Sequence, residues 1–455
     1  MQTRGMDPSW RRIHLVGLGG ARMTALARVF VALGLQVSGS DAVESAALAS
    51  MRQIGVTAWE GHDPEHVKGA DVVIWSPAIA QDNPELMAAP EVGAALMPGG
   101  EALARVVSGK RVIAVGGTHG KTTTSAMVAA VLEAAGTDPT WLLGADLRDG
   151  RPGGRLGGGD VAVVEADEAY GSFLYLTPEI SIVTSVDEDH LDYYGTMGEL
   201  ANAFKKFVDS SAKTVVCIEN EGAAELGGEP SVVTYGVNEG DFHASDVRSE
   251  AWKSSFLLHL PGGAESTVEL QAGGLHNVQN AIAAAAACFT FGLAIDDVAK
   301  GLGSFKGTAR RFEFKGKAGP ADVIDDYAHL PAKVEATLRA CRTGPWKRII
   351  AVFQPHLYSR TNAMWERLGK ALTIADIVVV TDVCGAREAP IPGVTGKLVA
   401  DGVSESTSSS RVVYLPSLDQ AREYVIRQLR EGDLVITLGA GDITTLADAL
   451  VRENI

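Results

Sequence analysis

The chain has 455 residues, long for a single hydrophobic core, which sets an expectation of about two to four domains. Hydrophobic residues make up 46% and charged residues 21%, a balance typical of soluble globular proteins. The formal net charge of -16 argues against a general nucleic-acid binder, whose footprint is basic, yet a few backbone N–H groups and one Lys can still hold a phosphate.

Cys217, Cys288, Cys341 and Cys384 form no CxxC or CxH cluster, so neither a zinc site nor a disulfide framework is expected. Scattered thiols fit a reducing cytoplasm, and the first three read as small buried hydrophobes. At the N-terminus, Trp10-Arg11-Arg12 leads directly into a strand-like run with no signal-peptide pattern. The most apolar helix candidate, residues 281–295, is shorter than the ~18 residues of a membrane span. A cytoplasmic location with no membrane partner is therefore expected.

In chain order, Ile13-His14-Leu15-Val16 predicts a strand, the glycine-rich run 17–20 a turn, residues 23–33 a helix and residues 36–41 a second strand. Strand, glycine turn, helix and strand within roughly thirty residues is a βαβ unit. Residues 71–75 predict a later strand. Gly17-Leu18-Gly19-Gly20-Ala21-Arg22-Met23 invites a dinucleotide reading, and Asp41 ends the second strand where a ribose contact would fall. A lone glycine turn is weak evidence, so a nicotinamide-dependent oxidoreductase stands here as a rival class.

A second block opens with the buried-type strand 111–115, then Gly117-Thr118-His119-Gly120-Lys121-Thr122-Thr123, then a helix over 121–135. Glycines before a helix N-terminus let backbone N–H groups approach phosphate oxygens. Lys121 can reach the outer phosphates, and the Thr122 hydroxyl can ligate Mg²⁺. The strict P-loop pattern would place Gly at 115, where this chain has Val115. Strands are predicted at 161–165, 180–185 and 214–218, antiparallel hairpins over 242–270, and a helix over 277–291. Glu165-Ala166-Asp167-Glu168 and Asp187-Glu188-Asp189-His190 are acidic strand ends with the oxygen donors that Mg²⁺ prefers.

A third block repeats the rhythm, with strands at 323–325, 349–353, 377–381, 412–415 and 434–438. Its candidate positions are Arg311, in Gly307-Thr308-Ala309-Arg310-Arg311-Phe312, and Asp326, in Asp325-Asp326-Tyr327-Ala328-His329-Leu330-Pro331. His356 and Arg360 follow in Gln354-Pro355-His356-Leu357-Tyr358-Ser359-Arg360. The planar fork of Arg360 suits a carboxylate.

Together these segments resemble the Mur ligases from about residue 12 to residue 445, and within that family the alanine-adding members most closely. The loop 117–124 matches the family's shortened phosphate loop, which accounts for Val115. The resemblance implies an α/β fold of three domains: a Rossmann-like domain at 1–107, a central P-loop-type ATP-binding domain at 108–315, and a Rossmann-like domain at 316–455. It implies an ATP-dependent ligase that adds L-alanine to UDP-N-acetylmuramate through an acyl phosphate, with Mg²⁺ as cofactor and the chain a monomer or homodimer. A relative that attaches a peptide or another amino acid is the alternative. Catalysis would fall to Lys121, Glu168, His190 and Arg311, and metal binding to Thr122, Glu168 and His190. ATP would meet Gly117, Thr118, His119, Gly120, Lys121, Thr122, Thr123, Asn277, Asn280, Arg311 and Asp326. The other substrates would meet Gly17, Gly19, Gly20, Arg22, Met23, Asp41, Ser76, His356 and Arg360. Five departures from the family pattern are Tyr170 for Asp, Ser185 for Asn, Leu330 for His, Cys384 for Tyr, and Arg22 for the last Gly of G-x-G-G-x-G-M. Two roles are open to Arg22: it can bind pyrophosphate directly, or narrow the approach to it.

Overall fold

The computed structural model describes residues 5–228, 231–386, 388–407 and 410–452. Two compact units form: Met1–Arg248 with Ser255–Gln271 and Asn277–Lys306, and Ser249–Ser254 with Ala272–His276 and Gly307–Ile455.

The first unit carries two parallel sheets. One is five-stranded: β1 (Arg12–Val16), β2 (Gln36–Asp41), β3 (Thr57–Glu60), β4 (Val72–Trp75) and β5 (Ala95–Pro98), in the order β3-β2-β1-β4-β5. The order reverses between β1 and β4, and the loops at their carboxyl ends, Gly17–Gly20 and Ser76, flank the crevice where open α/β sheets bind ligands. Below that edge Glu85 is fully buried, accepting from the Ser40 hydroxyl at 2.5 Å and lying 2.7 Å from His66 Nδ1 and 3.1 Å from His62 Nδ1. Burial works to raise its pKa, but the nearby His14 imidazole and the hydrogen bonds from Ser40 and His66 outweigh burial and hold the carboxyl at about 2.

The second sheet has seven strands: β6 (Arg111–Gly116), β7 (Thr140–Leu142), β8 (Gly154–Arg155), β9 (Val161–Glu165), β10 (Ile180–Val183), β11 (Lys213–Cys217) and β12 (Val232–Tyr235). Their order is β12-β11-β10-β6-β9-β7-β8, and only β7 and β8 pair antiparallel. Central strands β6, β9 and β10 are almost wholly apolar and buried, as expected for a sheet covered on both faces. The two sheets are fixed to each other through the helix Ala21–Ala32, whose Ala25 backbone lies so close to Gly154 that no Cβ would fit there. A separate sheet of β13 (His243–Ser249), β14 (Ser254–His259) and β15 (Glu265–Leu270) fills the expected hairpin patch. Its connections, 250–253 and 260–264, are too short for parallel crossovers.

The second unit holds a six-stranded sheet of β16 (Glu313–Ala318), β17 (Ala321–Asp326), β18 (Arg348–Phe353), β19 (Ile377–Val380), β20 (Arg411–Tyr414) and β21 (Asp433–Leu438). The order is β16-β17-β21-β18-β19-β20, with β16 antiparallel to β17 and the rest parallel. Helices cover both faces, burying one core around Phe353, Leu368 and Val399 and another around Val352, Val425 and Leu446. Cys217, Cys288 and Cys341 are buried free thiols, as expected. No helix among the described residues is long and apolar enough to cross a membrane.

Candidate active site

The glycine turn after β1 is built by hydrogen bonds that only small residues allow. Gly17 has φ of 85°, and a Cβ on it would meet the Ser76 side chain at 3.0 Å. The Gly17 and Leu18 N–H groups both donate to Ser40 O at 2.9 Å, and the Gly19 N–H donates to Asp41 Oδ2 at 2.8 Å. Asp41 thus shapes the turn. Met23 is buried and packs toward Gly99. Arg22, in the first turn of the following helix, donates from Nη2 to Asp167 Oδ2 at 2.8 Å.

The phosphate-type loop after β6 is clamped by the segment after β10. Gly117 has φ of 123°, and a Cβ there would meet Ser185 N at 2.8 Å and Thr184 N at 2.9 Å, besides the Thr184 hydroxyl. The Thr118 N–H donates to Ser185 O at 2.9 Å and the His119 N–H to Ser185 Oγ at 3.0 Å. The Thr184 hydroxyl donates to His119 O and, at 3.1 Å, to Gly116 O. Gly120 has φ of 78° and abuts the Asn280 side chain, which also accepts from the Thr124 hydroxyl at 3.3 Å. Asn277 and Asn280, one helical turn apart, are both buried. From Lys121 the helix runs to Ala134, with Thr122 buried and Thr123 partly exposed in its first turn.

The carboxyl ends of β9 and β10 meet this loop. Asp167, Glu168 and His190 each offer a ligand atom, all within 4.8 Å of one another. Two carboxylates and one imidazole at that spacing fit a divalent cation. Lys121 Nζ lies 2.7 and 2.9 Å from the two Glu168 oxygens and 2.6 Å from Gly117 O. Glu168 is 1% exposed, and burial raises its pKa against the opposing charge of Lys121. Asp167 goes the other way: burial opposes ionisation, but Arg22, then Lys121 and His190, hold its carboxyl at about 2. His190 adopts φ of 55° ahead of a single-turn helix, Leu191–Tyr194, and the Tyr194 hydroxyl donates to Glu168 O at 2.6 Å.

The carboxyl ends of β17, β18 and β21 form a separate cluster in the second unit. Both Asp326 oxygens are engaged, accepting from Phe312 N at 2.6 Å and Ala328 N at 2.8 Å. Its carboxylate therefore holds the 310–312 segment against the 326–328 turn. Arg310 reaches buried Asp325 at 3.2 Å and Gly439 O at 2.8 Å, and Arg311 lies 4.9 Å over the Tyr327 ring. Leu330 is buried before the helix Pro331–Arg342. His356 Nδ1 is 3.5 Å from Arg360 Nη1, and the His356 ring stands 5.9 Å from that of His329. Burial first, then Lys333 and Arg360, push the His329 pKa well down and keep it neutral.

The structure thus gathers Lys121, Glu168 and His190, and Gly120 with Asn280, in the first unit, and Arg311, Asp326, His356 and Arg360 in the second. Several further residues contribute without a motif of their own. Asp167 completes the acidic group, Thr184 and Ser185 brace the phosphate loop, and Tyr194 anchors Glu168. Ser185 departs from the family pattern, yet its hydroxyl does what an Asn side-chain oxygen could do there, accepting a loop N–H.

Three family models match the chain: "Mur ligase family, catalytic domain" over residues 12–111, "Mur ligase middle domain" over 115–288, and "Mur ligase, glutamate ligase domain" over 310–441. The UDP-N-acetylmuramate–L-alanine ligase of Kineococcus radiotolerans is 43% identical, over 97% of this chain and 96% of the relative. That of Cutibacterium acnes is 42% identical, over 98% and 97%. The crystal structure of UDP-N-acetylmuramate-alanine ligase from Thermotoga maritima matches with a TM-score of 0.84 at 29% identity, over 97% of this chain and 98% of that one. The MurF ligase of Thermotoga maritima, solved in complex with ADP, shares the fold with a TM-score of 0.65 at 14% identity, over 99% and 100%. With identity above 40% across nearly its whole length, this chain belongs to the Mur ligase family.

Proposed function

We propose that the chain is an ATP-dependent amide-bond ligase that joins L-alanine to the carboxylate of UDP-N-acetylmuramate in peptidoglycan synthesis. The observation that carries this reading is the Lys121–Glu168 pair at the mouth of the braced loop 117–122, a cation poised beside the acidic group Asp167, Glu168 and His190. The high identity to alanine-adding ligases along the full chain supports the choice of substrates. In this reading residues 1–107 hold the sugar nucleotide at the Gly17–Gly20 turn, 108–315 hold ATP, and 316–455 hold L-alanine.

A carboxylate oxygen of UDP-N-acetylmuramate attacks the γ-phosphorus of ATP. The new O–P bond forms as the β–γ bridge breaks, giving an acyl phosphate and ADP. The alanine amine then attacks the acyl carbon, a C–N bond forms, the C–O bond to phosphate breaks, and the amine loses a proton. Lys121 exchanges Glu168 for the outer phosphate oxygens, where the N-terminus of the helix Lys121–Ala134 adds positive potential. Arg311 is the further cation assigned to the polyphosphate, and Arg360, with His356, receives the alanine carboxylate. Asp167, Glu168 and His190, with Thr122, would hold Mg²⁺, whose charge neutralises phosphate oxygens.

Phosphate release by the purified full chain tests the reading. Release is expected only with ATP, Mg²⁺, UDP-N-acetylmuramate and L-alanine all present. Equal release without alanine, or faster release with a muramyl tripeptide in its place, would count against it.

A further inference from the structure

We infer that Arg22 couples the sugar-nucleotide turn to the divalent-cation group, as a positioning residue that neutralises Asp167 until a pyrophosphate competes for its guanidinium. The identity of the nucleotide rests on the proposed function; the ion pair does not.

Three observations support this. The first is position. Arg22 is the second residue of the helix Ala21–Ala32, directly after the Gly17–Gly20 turn, and that helix has no side-chain cap. A guanidinium at a helix N-terminus is opposed by the dipole, so it needs an anion, and the anion it has found is Asp167, 145 positions away. The second is support. Ala25, three residues on and on the same helical face, presses its backbone against Gly154 of β8 with no room for a side chain. The helix is therefore held at one distance from the sheet that carries Asp167. Arg22 is 19% exposed and Asp167 34%, so the pair stays open to an incoming ligand.

The third is charge. The acidic group has two carboxylates, and two side-chain cations already match them: Lys121 on Glu168 and Arg22 on Asp167. A divalent ion at Asp167, Glu168 and His190 meets both. ATP phosphates can draw Lys121 from Glu168, but they leave Arg22, the larger charge on Asp167 and its direct ion-pair partner, in place. An anion beside Arg22 can release that carboxylate. A pyrophosphate on the glycine turn is such an anion, since Arg binds phosphate oxygens through the same fork that holds a carboxylate. A Gly at position 22, as in the family pattern, has no means of doing this. The coupling would thus be a property of chains that carry Arg there, with the cation and the sugar nucleotide each favouring the other's binding. A static strut between two sheets would make the same ion pair but would leave cation affinity indifferent to the nucleotide.

The test uses the full chain without ATP, Mn²⁺ as the spectroscopic probe of the cation group, and UDP-N-acetylmuramate as the anion, with nucleotide binding followed by calorimetry. Wild-type protein should bind Mn²⁺ about tenfold more tightly with the nucleotide than without it, within the usual range of coupling between two sites, and Mn²⁺ should tighten the nucleotide by the same factor. In Arg22→Ala and Arg22→Gly, Mn²⁺ alone should bind several-fold more tightly than in wild type, with the nucleotide adding less than about twofold. Arg22→Ala keeps a good helix former at that position, so loss of fold cannot stand in for loss of coupling. Wild-type Mn²⁺ affinity that ignores bound nucleotide, or an unchanged ratio in Arg22→Ala, overturns the coupling alone. Absence of nucleotide binding in the calorimeter overturns the proposed substrate together with the coupling.

Discussion

Replacing Lys121 by Met removes the charge while keeping most of the stem, and isolates what the Lys121–Glu168 pair contributes. In the structure the ammonium contacts both Glu168 oxygens at 2.7 and 2.9 Å, and Glu168 is 1% exposed. Removing one partner of a buried ion pair costs about 3–5 kcal/mol, because the other charge stays buried without compensation. Here His190 lies 4.0 Å from Glu168, and the Lys121 side chain is 13% exposed, so water can partly replace the ammonium. The lower end, about 3 kcal/mol, is the expected loss.

That loss depends on pH. Burial already raises the Glu168 pKa, and loss of Lys121 raises it further. A carboxyl whose native pKa lies above its unfolded value binds its proton first in the native state, so stability is gained as pH falls and lost as pH rises. The deficit of Lys121→Met should therefore be largest at pH 8 and smaller at pH 6. Hydrogen exchange of the helix Lys121–Ala134 reports local opening and needs no assumption of global two-state unfolding. At pH 8 its most protected amides should exchange roughly 150-fold faster than in wild type, after correction for intrinsic rates, which corresponds to about 3 kcal/mol. Lys121→Met with Glu168→Gln should recover most of the protection and none of the turnover. Wild-type protection in Lys121→Met at pH 8 would refute the buried pair; near-normal turnover would refute the phosphate-loop assignment.

Gly117→Ala should destabilise the first unit by about 2–4 kcal/mol and abolish nucleotide binding, since φ of 123° and backbone nitrogens at 2.8 and 2.9 Å leave no room for a Cβ. Thermal unfolding and titration with a fluorescent ATP analogue check both, and Thr184→Ala in the same chain should restore little because the backbone clashes remain. Tyr194→Phe removes the hydroxyl donated to Glu168 O at 2.6 Å and should cost about 1 kcal/mol, read as a lowered thermal midpoint. Arg360→Lys keeps the charge but loses the fork, and should raise KM for L-alanine about tenfold or more with KM for ATP unchanged. Equal changes in the two constants, measured by initial rates, would remove Arg360 from the acceptor site.

Much of the fold was legible because its central strands are buried on both faces and read as unbroken apolar runs. β2 and β9 appear at the expected residues, and β1, β6 and β18 within one residue at an end. Strands β3, β5, β7, β8 and β12 were not anticipated, being short or at sheet edges where exposure weakens the pattern. β16, Glu-Phe-Lys-Gly-Lys-Ala, mixes charge and glycine as an antiparallel edge strand can, and only its pairing with β17 identifies it. The hairpin patch was legible from alternation, which survives in β14 as strictly alternating burial.

The candidate site was legible as residues and illegible as pairings. Gly117, Lys121, Glu168 and His190 announce themselves by residue type and by place at strand ends, but nothing local states that Lys121 and Glu168 share a charge. Asp167 shows why. In sequence it is one carboxylate among several in Glu165-Ala166-Asp167-Glu168, and the family resemblance points to Glu168 alone for the metal. Three-dimensional packing separates the two: Glu168 turns inward onto Lys121, and Asp167 turns toward the helix that begins beside the first glycine turn. Arg22 left two roles open, contact with pyrophosphate or obstruction of it, because the anion that satisfies it lies 145 residues further on. Both roles concern the sugar nucleotide alone. Its observed partner belongs instead to the cation group, so the residue that departs from the family pattern at one substrate's turn acts on the electrostatics of another's.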